Sequence, residues 1–452
     1  MARVAVLGAG IAGLVGAYTL QQAGVEVQVL EARHTPGGMI QTSEAGGYLV
    51  EHGPNTIRAS TPLLERLIEA LGLTPDVMEA SDAARNRYVV RDGKPVALPM
   101  SPPGLLTTRA FSIPGKLRLL LEPFVDPAPA GVEESVATFV RRRLGAEALA
   151  YGADPFVAGI FSGVPANLSV QHAFPALYEM EQTHGSLLRA QWARRGQPSG
   201  DAPRYKVFNF RKGLQQFVTA LAEAVEPIAT DEEVQRIMPK NGRWAVHTTQ
   251  GWEQTPQTYT VDAVLSTLPL PRLAALEASP ATEAPVLAQV PHPPVTVVAL
   301  GYPRRNVEHP LDGFGMLVPK AESDIRILGT IFTSTIFPDR APDDHVLLTS
   351  LVGGARRPAL THQNFHAVRE LVERDLRQLL GVRGEPVLMH YTEWTTGIPQ
   401  YTVGYGAVKD ALQQLEDANA RFALAGNYRD GISVPDAMAS GESAAQRLLQ
   451  AL

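Results

Sequence analysis

Residues 3–7 read Arg-Val-Ala-Val-Leu, a short apolar run without alternation. Such a run predicts a strand buried on both faces. Residues 12–23 then set small and apolar side chains at helical spacing, Gly24 ends the helix, and residues 25–30 predict a second strand. Helical periodicity returns over 132–149 and 173–194. Between 229 and 264 the pattern alternates as in strands, clearest at 233–237, 244–247 and 263–265. Further strands are predicted over 295–301, 325–332 and 346–352. Residues 365–380 form an amphipathic helix, 422–426 a returning strand and 433–452 a closing helix. Pro/Gly-rich stretches at 95–114, 123–131 and 196–203 mark boundaries. The order implies an α/β protein with an α+β insert. A Rossmann-like domain is assembled from both chain ends, and a mixed-sheet part and a mainly helical part (about 100–195) lie between them.

Of the 452 residues, 45% are hydrophobic and 19% charged, a folded globular composition. No residue is cysteine. That excludes disulfides, thiolate metal sites, Cys-x-x-Cys redox pairs and a cysteine nucleophile. Redox chemistry would need a bound organic cofactor or a non-thiolate metal. The net charge of −6 argues against nucleic acid as partner. Only 7 of the 40 basic residues are Lys, a bias better read as compositional than as a site. Residues 4–25 carry no charge and follow Arg3, which on hydropathy alone suggests a signal peptide or membrane anchor. The glycines at 8, 10, 13 and 16 argue instead for a loop-to-helix turn, and a cytoplasmic location is the default expectation.

That turn carries the candidate chemistry. In Gly8-Ala9-Gly10-Ile11-Ala12-Gly13, Gly8 permits the tight turn, Gly10 lets backbone approach a pyrophosphate, and Gly13 lets helix and strand pack closely. The helix N-terminus offers free N–H groups and a positive dipole end. Glu31 closes the second strand 23 residues after Gly8, where a carboxylate accepts bonds from ribose hydroxyls. Ala32 follows it, and Gly37-Gly38-Met39 completes a Glu-x5-Gly-Gly continuation. That continuation resembles the FAD-binding signature of the amine oxidase and phytoene desaturase superfamily and favours FAD over NAD.

Dispersed segments extend the likeness over nearly the whole chain. They include Glu51-His-Gly-Pro-Asn55, Asn86-Arg-Tyr88, Asp154-Pro-Phe-Val-Ala-Gly159, Gly313-Phe-Gly-Met-Leu-Val-Pro319, Phe337-Pro-Asp-Arg-Ala-Pro342 and residues 426–441. Together they resemble the FAD-dependent protoporphyrinogen oxidase family of haem biosynthesis. The resemblance implies an FAD domain (1–84, 210–272 and 416–452), a substrate domain (85–98 and 273–415) and a helical domain (99–209). It also implies a non-covalently bound FAD, to which the fingerprint residues, Gly53, Pro54, Asn55 and Thr56, the Val234 backbone, Trp394, and Ile432-Ser433-Val434 would contribute. The helix opened by Ile432-Ser433-Val434 would face the flavin. Asn427 departs from the acid that many relatives carry there. Pro399, Tyr401 and Tyr405 complete a Trp–Pro–Tyr–Tyr pattern with Trp394 near the flavin edge.

For the substrate, the resemblance assigns Arg87 to a propionate, Phe332 and Leu317 to the faces of a tetrapyrrole, and Gly159 and Asn55 to the neighbourhood of the reaction. Strand alternation would put Arg85, Arg87 and Arg91 on one face. The implied reaction is oxidation of protoporphyrinogen IX to protoporphyrin IX, an oxidation of CH–CH bonds by hydride transfer to FAD with oxygen as acceptor. No acid–base residue and no metal is assigned, and the 11 His are scattered. Coproporphyrinogen III remains an alternative substrate. A flavin amine oxidase (Lys320 being the nearest candidate lysine) and a non-catalytic FAD-binding protein are further readings. A homodimer and hand-over of product to a chelatase are left open. So is peripheral contact with the inner face of the cell membrane through Leu105, Leu106, Phe111 and Ile113.

Overall fold

The computed structural model describes residues 2–99, 102–129, 131–193 and 203–452. Both chain ends meet in one five-stranded parallel sheet. Its order is Ile228–Ala229, Glu26–Leu30, Arg3–Leu7, Ala263–Ser266, Phe422–Leu424. Val4, Ala5, Val6 and Leu7 are all fully buried because both faces of the sheet are covered. On one face lie the first helix (Ile11–Gln22), the helix Leu214–Val225 and the closing helix (Val434–Ala451). On the other, Val264, Phe422 and Leu424 pack with Trp244, Tyr401, Tyr405 and Leu412.

Close backbone approach fixes the first helix. A Cβ on Gly13 would lie 1.9 Å from the Gly8 carbonyl oxygen, and one on Gly16 2.5 Å from Leu265 Cδ2. A Cβ on Gly441 of the closing helix would lie 2.1 Å from the Ala12 carbonyl oxygen. Strand and both helices therefore touch through backbone.

A second, seven-stranded mixed sheet has the order Leu388–Trp394, Val295–Pro303, His345–Gly353, Gly329–Phe332, Gly313–Leu317, Asn86–Arg91, Lys94–Ala97. The amphipathic helix Phe365–Leu380 covers one face, burying Val368, Val372 and Leu376 against Val298, Leu300, Met316 and Leu348. Asn364 caps its start and Gly381, in the left-handed region, ends it. The strand expected over 325–332 shortens to Gly329–Phe332. The amides of Arg326 and Ile327 donate instead to Asp375 Oδ2 of that helix, at 2.6 and 3.0 Å.

The insert is helical but more broken than periodicity suggests. Of the helix expected over 132–149, Val136–Arg143 forms; it ends at Leu144 ahead of Gly145 (φ 96°), where a short second turn, Ala146–Ala148, begins. The helix expected over 173–194 is interrupted by Gly185 (φ 67°) into Pro175–His184 and Leu187–Ala193. Of the expected linker 196–203, all but Pro203 lies outside the described residues. The insert is tied internally by charge. Arg143 and Glu122 are 0% exposed and sit 3.2 Å apart, and Arg143 Nε donates to Glu181 at 2.5 Å. Glu122 also accepts the Ser186 hydroxyl and the Leu187 and Leu188 amides, capping the last helix of the insert.

Four expected domain borders fall inside elements, the first of them at 84/85 within the short turn Asp82–Arg85. The border at 209/210 cuts strand Val207–Phe210, which pairs with Ile57–Arg58 and Val77–Glu79. Those at 272/273 and 415/416 cut helices Leu270–Ala274 and Gly406–Ala418, both packed on the nucleotide sheet.

Gly441→Ala tests the helix contact. On an open helix surface this change stabilises by about 1 kcal/mol. Here it should destabilise by about 1–3 kcal/mol, the usual cost of overpacking, read as a lower urea midpoint at unchanged m-value.

Candidate cofactor cleft and substrate face

The dinucleotide turn forms as its glycines require. Gly8 takes φ 96°, and Gly10 caps the first helix with no side-chain hydrogen bond and no acid in the first turn. The amide ends of that helix therefore face outward uncompensated. A Cβ built on Gly10 meets nothing within 4 Å, so open space lies against this backbone. Gly37 donates its amide to the Ala9 carbonyl at 2.8 Å, and a Cβ on Gly38 would lie 3.4 Å from Gly10 Cα. The paired glycines thus lie directly on the fingerprint. Glu31 is buried, and its carboxylate is fixed by the Ala9 amide at 2.6 Å and the Arg33 amide at 2.9 Å. Ala32, next in the chain, is exposed. Thr267, absent from the sequence reading, holds the turn from beneath by donating to the Leu7 carbonyl at 2.8 Å. No local pattern could reveal a partner so distant in the chain.

The second group gathers around Met39 and Trp394. A Cβ on Gly53 would lie 2.2 Å from the Met39 carbonyl oxygen, bringing the Gly53-Pro54-Asn55-Thr56 loop against the paired glycines. Trp394 donates its indole N–H to the His52 carbonyl at 2.8 Å and packs with Val295, Val297 and Met39. Arg33, also missed, lies over the Trp394 ring at 5.3 Å and donates to the Gly38 carbonyl. Asn209 holds the Asn55 carbonyl, and Asn55 Oδ1 is buried without a hydrogen-bond partner. An uncapped helix N-terminus, open space at Gly10, an anchored Glu31 and an orphaned acceptor at Asn55 fit an elongated, phosphate-bearing cofactor with a donor-rich head.

Three expected contacts look different in the structure. The Val234 carbonyl already accepts from Arg272 at 2.7 Å, next to an irregularity in its strand. At Ile432-Ser433-Val434, Ser433 and Asp436 form a capping box, and Pro435 carries no N–H. Val434 is left as the first-turn donor without a capping partner, and the Asp436 carboxylate offsets part of the dipole. Tyr401 and Tyr405 stack at 4.4 Å and donate to the Asn427 and Tyr428 carbonyls, each at 2.6 Å. They brace the turn before the closing helix.

Strand register defines the substrate face. Val89 pairs with Leu317, Leu317 with Gly329, Gly329 with Leu351, and Leu351 with Val297. Directly paired residues share a face, as do residues two apart on one strand. Arg87, Leu317, Ile331, Leu351 and Trp394 therefore share one face, turned toward the nucleotide half through the Leu351–Trp394–Met39 cluster. Gly159, on helix Asp154–Phe161, lies against this face, since a Cβ there would be 2.6 Å from Leu317 Cδ2. Phe332 does not belong to it. It pairs with Leu348 on the opposite face and is fully buried beneath the amphipathic helix, near Tyr88 and His309. Ile331 and Leu351 occupy the cleft face in its stead, and the period-2 rule applied to the correct register is the signal that finds them.

Of the three arginines, Arg85 ends a short turn before the strand and is exposed. Arg91 is committed to Glu147 at 2.7 Å and to the Ala110 carbonyl. Arg87 bonds only to backbone carbonyls, of which Ala84 at 2.6 Å is nearest, and its guanidinium lies over Phe314 at 4.4 Å. No carboxylate among the described residues pairs with it. Burial, and then the charge of Arg58, push its pKa down. Lys320 is exposed, and its amide donates to Asp154 Oδ2 at 2.7 Å. Among the described residues no group of three or more His, Cys, Asp or Glu is placed to hold a metal.

Comparison with known proteins matches residues 11–449 to the family model of flavin containing amine oxidoreductase. "Protoporphyrinogen oxidase 2, chloroplastic/mitochondrial" of Arabidopsis thaliana is 33% identical, over 100% of this chain and 94% of that protein. "Coproporphyrinogen III oxidase" of Bacillus subtilis (strain 168) is 25% identical, over 98% of this chain and 96% of its own length. The crystal structure of a "Putative protoporphyrinogen oxidase" from Exiguobacterium sp. 255-15 superposes with a TM-score of 0.84 at 23% identity, covering 100% of this chain and 99% of that one. Reduced UDP-galactopyranose mutase shares the fold at a TM-score of 0.73 and 14% identity, covering 100% of this chain and 96% of that one.

Beside Trp394, the rings of His52 and His390 lie 4.2 Å apart. Burial, and then the neighbouring imidazole, push the His52 pKa down to about 4; burial lowers that of His390. The unfolded chain takes up these protons near pH 6.5, whereas folded His52 does so only near pH 4. Stability should therefore fall as pH drops from about 6.5 to 4. Thermal melts across that window should show a shallower loss for His52→Gln than for the unaltered protein; equal slopes would contradict this.

Proposed function

The chain belongs to the flavin containing amine oxidoreductase family, and we propose that it oxidises protoporphyrinogen IX to protoporphyrin IX in porphyrin biosynthesis, with FAD as cofactor and oxygen as final acceptor. One observation carries this reading. A broad apolar face of Leu317, Ile331 and Leu351 carries an unpaired, half-buried Arg87. Such a face suits a large, flexible macrocycle bearing carboxylates rather than a small amine. The names of the full-length relatives support it.

Bound FAD supplies a hydride acceptor to a substrate whose methylene bridges are activated by their own flanking pyrroles. The chain therefore needs no strong base, and we assign none. Arg87 anchors a propionate by a charge-assisted hydrogen bond. Leu317, backed by Gly159, and Ile331 and Leu351 hold the apolar rings and exclude water. Gly159 has no side chain, so Leu317 can lie against helix Asp154–Phe161. Coproporphyrinogen III is the second reading, favoured by the additional cation of Arg58 beside Arg87.

Peripheral membrane contact belongs to the same proposal, at a site shifted from the expected one. Leu105 and Phe111 are half-buried, and the side chain of Leu106 lies outside the described residues. Ile113, Leu117, Leu120, Leu121 and Phe124 are exposed at 74, 56, 52, 55 and 79%. Their spacing along helix Ile113–Leu120 and the turn after it forms one stripe. Among the described residues no helix is long and apolar enough to cross a membrane.

Anaerobic mixing of the holoprotein with protoporphyrinogen IX should bleach the flavin, and parallel mixing with coproporphyrinogen III ranks the two. No bleaching by either would defeat the reading. Arg87→Ala should lower kcat/KM by an amount equivalent to about 2–5 kcal/mol of lost binding, at unchanged FAD content. In flotation with phospholipid vesicles, the protein should rise with the lipid, and Leu117→Glu/Leu121→Glu should stay behind.

A further inference from the structure

Arg58 has entered so far only as a charge felt at Arg87. It ends the two-residue strand Ile57–Arg58, is exposed, and its side chain has no hydrogen-bond or carboxylate partner among the described residues. Its strand pairs with Val207–Phe210, setting Arg58 opposite Val207. Val207 in turn accepts the Ala80 amide at 2.8 Å on its other side. Ala80 packs in the small cluster of Ala84, Ile336, Phe337 and Phe314. Arg87 lies over Phe314. Arg58 and Arg87 thus flank one patch from two sides, and the charge of Arg58 is felt at Arg87. Two guanidiniums that repel each other, neither paired with a carboxylate among the described residues, form an arrangement that a dianion relieves.

We propose that Arg58 and Arg87 form a paired carboxylate subsite that takes two carboxylates borne on neighbouring rings of one ligand. This rests on the porphyrinogen reading and adds to it. Arg87 holds the inner carboxylate at the apolar face, and Arg58 holds the outer one at the rim. Being exposed, Arg58 contributes affinity and choice of substrate rather than chemistry.

The test is fluorescence titration of the FAD-loaded protein with protoporphyrin IX as free diacid, monomethyl esters and dimethyl ester. Arg58→Gln should weaken the diacid about two- to fivefold, the range of an exposed charge pair. It should leave the dimethyl ester unchanged and remove the advantage of the diacid over one monoester. Arg58→Lys should restore most of the loss, and the KM for the porphyrinogen diacid should rise in step with the weakened binding. Unchanged diacid affinity in Arg58→Gln, or an equal loss for the dimethyl ester, would overturn the proposal while leaving the porphyrinogen reading intact. A wild-type flavin that no porphyrinogen reduces would overturn both.

Discussion

The first helix approaches two stretches of backbone more closely than any side chain would allow. Gly13 sits where a Cβ would overlap the Gly8 carbonyl, and Gly441 where one would overlap the carbonyl of Ala12. These contacts set the height of the helix above the sheet. They hold its N-terminus over the open space at Gly10, and they fasten the last helix of the chain to the first. The Gly53–Thr56 loop and the paired glycines take their positions from that arrangement, and the substrate face is built opposite it.

The parts of this arrangement that were legible in the sequence share a cause. A phosphate-binding turn is a local object, in which the spacing of Gly8, Gly10, Gly13 and Glu31 carries its own geometry. The structure brings those residues and Gly37-Gly38 together. The amphipathic helix Phe365–Leu380 was equally readable, because one stripe of apolar positions faces one core. The substrate face was only partly readable. On a strand, neighbouring residues point to opposite sides, so a shift of one position exchanges core for cleft. Phe332 and Ile331 differ by that one position. Arg85 fell off the predicted row because the strand begins at Asn86, a boundary that no side-chain pattern marks. Thr267 and Arg58 were invisible for another reason, since each acts through a residue far away in sequence.

The helical insert shows how the protein manages without covalent staples. Its apolar cluster is small, centred on Phe139, Val157, Phe161 and Leu168. Beside it Arg143 is buried between Glu122 and Glu181, with Ser186 and two amides satisfying the remaining acceptors. Such a network adds little over an apolar core of equal shape. It does make the packing specific, because displacing any member strands a charge in a dry interior. The turns around Val125, Gly185 and Ser186 are thereby fixed to helix Val136–Arg143.

The cofactor half closes in an order set by the ribosome. Strand Arg3–Leu7 and the first helix are made long before the strand's neighbour Ala263–Ser266, and Phe422–Leu424 and the closing helix follow later still. Until then the uncharged segment 4–25 has only the adjacent strand Glu26–Leu30 to pair with. Contacts so far apart in sequence are slow to form. Clasping the nucleotide consequently waits for segments made long after the fingerprint, and FAD meets chains in which the mixed sheet and the helical insert have already been made.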